Sequence, residues 1–128
     1  MKNLFSVIPV DFFKPLNSVY KEQMADCLLL IYNSYKSEIS YGVDRESIVL
    51  TLTDYFSSQK EDISFNDGQS FVKEARSKAQ ETINYLNRCG WLDFEEEKNY
   101  QQNVVLTEYA IPFMRTMVDV IKNQEVEY

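Results

Sequence analysis

Apolar residues Tyr20, Met24, Cys27, Leu28, Ile31 and Tyr35 recur at steps of three and four, which predicts an amphipathic helix from about Ser18 to Lys36. Leu29, Leu30 and Tyr32 widen its stripe past half the circumference, so the helix should be covered on two sides, by its own domain or by a partner. After the break at "SYGVD", Asp44 is placed to cap a second helix whose inner face is Ile48, Val49, Leu52, Tyr55 and Phe56, ending near Ser58. The polar stretch "SQKEDISFNDG" reads as a loop. Phe71, Val72, Ala75, Ala79, Ile83 and Leu86 then form one stripe of a third helix, roughly Gly68 to Arg88, with Gly90 as its left-handed stop.

Trp91 to Phe94 and Asn103 to Leu106 are short enough to be the arms of a hairpin. Thr107 is placed to cap a last helix through about Lys122, with Ala110, Phe113, Met114, Met117 and Ile121 facing inward. Pro112 is tolerable there only within the first turn or so. This order predicts a mainly α winged helix-turn-helix domain with an extra N-terminal helix and a small two-stranded β wing. No repeat, low-complexity tract or Gly/Ser linker divides the chain, so residues 1–128 read as a single domain.

Composition narrows the chemistry. Apolar residues make up 45% of the 128 and aromatics 14%, enough for a core without metal or disulfide staples. There is no histidine, which removes Ser-His and Cys-His nucleophile pairs and imidazole ligation of a metal. Cys27 and Cys89 lack a CxxC partner and read as reduced, buried small hydrophobes, the usage of a cytosolic protein. The three glycines stand alone at turns, so there is no phosphate-binding loop. Acidic runs such as "KED" and "FEEE" read as solvated surface, because nothing sets two carboxylates against a pocket. The opening "MKNLFSVIPVDFFKP" is broken by Pro9, Asp11 and Pro15 and is neither a signal peptide nor a membrane span. The expectation is a cytoplasmic protein that is not an enzyme and needs no cofactor or metal.

The net charge of −7 opposes phosphate backbones and anionic membranes. Against that, the third helix displays Lys73, Arg76, Ser77, Gln80, Asn84, Asn87 and Arg88 opposite its apolar stripe, a face with three cations and no acids. Arg, Gln and Asn are side chains that read base edges, so Lys73, Arg76, Gln80, Asn84 and Arg88 are the contacts a DNA-binding regulator would use. The wing points the other way, with Asp93, Glu95, Glu96 and Glu97 against Lys98. Carboxylates where a wing meets the backbone repel phosphate. A solvated helix face and a DNA-reading face both stay open at this level.

The opening phrase "LFSVIPVDFFKPLNSVYKEQMADCLLLIYNSY", then "YGVDRESIVLTLTDYF", and the ending "YLNRCGWLDF…VVLTEYA" resemble the JetA family, kleisin-like subunits of the Wadjet anti-plasmid systems of bacteria. The likeness covers essentially the whole chain. It implies the N-terminal winged-helix domain of a longer, MukF-like subunit that forms a homodimer, with adjoining helices engaging the neck of an SMC-type ATPase and with an accessory subunit in the same complex. DNA would be handled by the assembled complex, and neither ATPase nor cleavage chemistry would reside here. The stop at "IKNQEVEY" fits an excised fragment, since a kleisin continues into further helices. A docking module has no need of a cationic wing. Phe5, Phe12, Phe13 and Tyr20 are the candidate interface residues, because aromatics anchor interfaces, with closure of the domain's own core as the competing role.

Overall fold

Residues 2–37, 42–96 and 101–125 are described by a computed structural model. The chain enters through two 3-10 turns, Leu4–Ser6 and Pro15–Asn17, and then forms α1 (Lys21–Ser37), β1 (Val43–Asp44), α2 (Arg45–Ser57), α3 (Ala75–Arg88), β2 (Leu92–Glu96), β3 (Gln102–Leu106) and α4 (Ala110–Glu125). This is the mainly α, winged-helix order. The sheet holds one strand more than the expected hairpin. β3 is central and antiparallel to both neighbours, with Val43 and Phe94 each registered against Val104, and Leu92 against Leu106. A two-residue strand leaves no alternating pattern to read, which is why β1 is silent in the sequence.

Local signals fix most boundaries. The Asp44 carboxylate accepts the Ser47 amide at 3.2 Å and so caps α2. Gly90 closes α3 at φ +95, a conformation a side chain resists. Pro112 falls in the first turn of α4, where its missing N–H has no partner to lose. Thr107 does precede that helix, but its hydroxyl donates to the Gly90 carbonyl at 2.9 Å and ties the start of α4 to the end of α3.

Two expectations are corrected. The third helix begins at Ala75, not near Gly68. Val72 exchanges both backbone hydrogen bonds with buried Ile63, at 3.2 and 2.7 Å, so its peptide groups are satisfied in extended pairing and Phe71 is left exposed. Ile121 is also exposed, since α4 runs past the body after Met117 and Val118, which are half-buried against the core.

The core collects the inner faces of all four helices and the sheet: Leu28, Ile31, Ile48, Leu52, Phe56, Ile83, Leu86 and Met114 are buried in one cluster with Trp91 and Phe12. Lys78 is buried among them. Its ammonium donates to the Glu61 carbonyl at 2.7 Å, which pins the α2–α3 connection over the core.

Candidate functional site

Four residues of the outward face of α3, Arg76, Asn84, Asn87 and Arg88, make contacts within the molecule. Arg76 pairs with Glu46 of α2 at 2.7 Å, so the face expected to lack acids receives one from the neighbouring helix. Asn84 accepts a hydrogen bond from Arg45 at 2.9 Å. The same guanidinium donates to Gln102 of β3 at 3.2 Å and lies 4.8 Å over the Phe94 ring. Arg45 thereby joins α2, α3 and both long strands, and its partial burial lowers its pKa from the ordinary value. Asn87 donates to the Leu92 carbonyl at 2.8 Å, and Arg88 stacks 5.8 Å from the Tyr85 ring. Ser77 is half-buried. Lys73 is exposed in the extended lead into α3, and Gln80 is exposed on the helix.

The described part of the wing keeps its acidic character. Asp93, Glu95 and Glu96 are exposed on β2, while Glu97 and Lys98 lie outside the described residues. No compensating cation reaches these carboxylates in an ion pair among the described residues, where Arg76–Glu46 is the one salt bridge.

The four aromatic candidates separate by burial. Phe12 is 0% exposed, stacked on Trp91, and belongs to the core, so it cannot itself touch a partner. Phe13 packs edge-on to Phe12 and Phe113 yet is 36% exposed, and Phe5 leans on Phe13 at 60% exposure. Leu4, Val7 and Val10 are exposed along the same arm. Tyr20 is half-buried against the core at the start of α1. Burying Phe12 fixes the arm to the domain, and the apolar side chains on either side of it are what the arm then leaves in water.

Reactive chemistry is muted. Burial raises the pKa of both thiols, Cys27 and Cys89, with Asp26 adding to the effect at Cys27. Burial likewise raises Tyr85, and it raises Tyr55, whose hydroxyl donates to Asp26 at 2.7 Å. Among the described residues no group of three His, Cys, Asp or Glu could hold a metal ion, and no helix is long and apolar enough to cross a membrane. Sequence reasoning missed Arg45 and Lys78. Nothing in their local pattern signals contacts made to residues 57 and 17 positions away.

No solved structure matches this chain. A curated relative, described as Wadjet protein JetA of Bacillus cereus (strain Q1), is 22% identical over 132 aligned residues, covering 100% of this chain and 28% of that protein. The chain thus spans about 28% of the length of this relative. The family model described as Wadjet protein JetA matches residues 30–128, from the middle of α1 through α4, and on that match the chain belongs to the JetA family.

Proposed function

We propose that this chain is the N-terminal dimerisation and SMC-docking domain of a kleisin-like subunit in a Wadjet-type, condensin-like complex that defends a bacterial cytoplasm against plasmid DNA. Its partners on this reading are a second copy of itself, the SMC-type ATPase and an accessory subunit, and DNA is met through the assembled complex. The domain carries no catalysis of its own.

One observation carries the reading: the apolar arm. Leu4, Phe5, Val7, Val10 and Phe13 are exposed beside a Phe12 that anchors the arm in the core, which gives a rigid apolar surface of the kind protein partners cover. On the α3 face that would serve DNA, by contrast, Arg76 is paired with Glu46 and Asn84 accepts from Arg45, and the strand beside it is acidic.

The test is co-expression with the SMC-type ATPase, followed by light scattering of the purified species. Phe5→Asp together with Phe13→Asp should abolish self-association or ATPase binding while circular dichroism is unchanged. Full association by that double variant would remove the arm from the interface. Duplex DNA binding lost on reversing Lys73 and Arg88 would return the domain to a regulator.

A further inference from the structure

A groove of about 580 Å³ opens between the start of α1 and the loop that leads to α3. Its floor is apolar and aromatic, with half-buried Tyr20 and Phe65 at the surface and Met24 and Tyr85, both buried, closing it from beneath. Its rims are charged and opposite: Lys14 stands on the N-terminal side and Asp67 on the loop side. Neither makes an ion pair among the described residues.

The loop rim is built in advance. Ser64 Oγ donates to Asn66 Oδ1 at 2.9 Å and accepts the Gly68 amide at 2.8 Å, while Asn66 Oδ1 accepts the Ser70 amide at 2.9 Å. These bonds hold Asp67 at φ +56, a left-handed conformation that Asp tolerates better than most residues. The Ile63–Val72 bridge closes the base of the loop, and the buried Lys78 ammonium fastens it to the core. Phe65 packs 5.4 Å from Tyr85 across the floor. A groove whose walls are already ordered avoids the entropy of ordering them on binding.

We propose that this groove receives a short segment of a partner protein, with an apolar anchor side chain on the Tyr20–Met24–Phe65–Tyr85 floor, a carboxylate facing Lys14 and a cation facing Asp67. The charge pattern is what selects this occupant. Two uncompensated opposite charges across an apolar floor accept a segment bearing the complementary pair in one direction, and they disfavour the reversed one by like-charge contact. A cavity of about 150 Å³ holds one benzene-sized group, so this volume has room for an anchor side chain and its neighbours in a short segment, within the range of small binding sites. The inference rests on reading the domain as a docking module and adds a second surface, distinct from the arm.

The test is a randomised helical peptide library displayed on phage and selected on the purified chain. Enriched peptides should carry an apolar anchor flanked by one acid and one base, and should shift the amide resonances of Val19, Phe65 and Gly68. Lys14→Glu and Asp67→Asn should each weaken them roughly two- to fivefold. A peptide whose acid is changed to lysine should recover on Lys14→Glu. Peptides that map to Phe5 and Phe13, or that ignore both charge changes, overturn the groove and leave docking through the arm intact. Failure to enrich any peptide at the groove also overturns it. Concentration-dependent shifts of the same amides without peptide would make the occupant a second copy of this chain, against the proposal. Association with the SMC-type ATPase, measured separately, tells failure of the groove from failure of the docking reading itself.

Discussion

Trp91 holds Phe12 twice. The indole N–H donates to the Phe12 carbonyl at 2.6 Å, and the two rings stack with centroids 4.0 Å apart and planes 13° from parallel. An N-terminal arm is thereby bonded to the residue that opens the hairpin, 79 positions away. Phe12→Ala should destabilise the domain by about 3–5 kcal/mol, as removal of a buried aromatic does. Phe13→Ala, at a partly exposed position, should cost roughly 1 kcal/mol. Urea denaturation followed by the fluorescence of the single tryptophan checks both, since that tryptophan is Trp91. Equal losses at the two positions would mean that the arm is not anchored through Phe12.

Gly90 and Gly68 separate backbone strain from steric overlap. Both have positive φ, +95 and +84. A Cβ on Gly68 meets open space, whereas one on Gly90 overlaps Pro9 Cγ and comes within 3.1 Å of the Tyr109 hydroxyl. Gly68→Ala should therefore cost only the left-handed penalty, about 1–2 kcal/mol. Gly90→Ala should add roughly 1–3 kcal/mol of overpacking, because Pro9 is a rigid ring on the arm that Phe12 anchors. Thermal midpoints of the two variants give the comparison, and a Gly90→Ala protein as stable as Gly68→Ala would contradict it.

Local codes were legible and long-range ones were not. Asp44, Gly90 and Pro112 each act within a turn of their own position, so residue type and spacing sufficed to place them. The Phe71–Val72–Ala75 spacing looks helical, yet the Val72 backbone is claimed by Ile63. Periodicity cannot see that competition. Lys78 carries no local sign of burial, because its partners are carbonyls in a connecting loop. Aromatic content marked the arm as important, but whether a given phenylalanine faces Trp91 or water is decided by tertiary packing. Hence Phe12 went to the core and Phe5 stayed outside. The groove was invisible for the same reason, except for Tyr20. Its floor draws on the start of α1, the loop and the last turn of α3.

Alkaline pH should destabilise the domain before acid chemistry at these buried groups matters. Cys27, Cys89, Tyr55 and Tyr85 are all raised above their ordinary values of 9.0 for the thiols and 10.0 for the phenols, chiefly by burial. Each folded group therefore holds its proton more tightly than the unfolded chain does. Its stabilisation is fully present below the unfolded pKa and declines as pH rises past it, because unfolding then releases protons. Stability should hold from neutral pH to about 9 and fall beyond it. Urea midpoints at neutral pH and at roughly pH 10.5 test the direction. Native thiols should also resist a disulfide-exchange reagent near neutral pH and react on unfolding. A midpoint that rises with alkalinity, or a native thiol titrating at or below the ordinary 9.0, would contradict the burial.

Duplex DNA provides the last test, because charge and geometry agree there. The chain carries −7, the exposed carboxylates of β2 flank α3, and Arg76 is already paired with Glu46. Releasing Arg76 to a phosphate would leave Glu46 facing the same phosphate. The isolated domain should consequently bind duplex DNA no more tightly than a non-specific binder, about 10⁻⁴ to 10⁻⁶ M at physiological salt, and with a shallow salt slope. Changing Lys73, Arg76 and Arg88 to Glu should cost roughly 1–2 kcal/mol, since the interactions broken, the Arg76–Glu46 pair and the Arg88 contact with the Tyr85 ring, are both at the surface, and should leave the association state unaltered. Fluorescence anisotropy with a labelled duplex across a salt series, beside light scattering and urea denaturation of the same triple variant, measures binding, association and stability. Tight, steeply salt-dependent binding that the triple variant loses would mean that α3 reads DNA after all. The Glu46 pair would then be a resting-state contact that the duplex displaces.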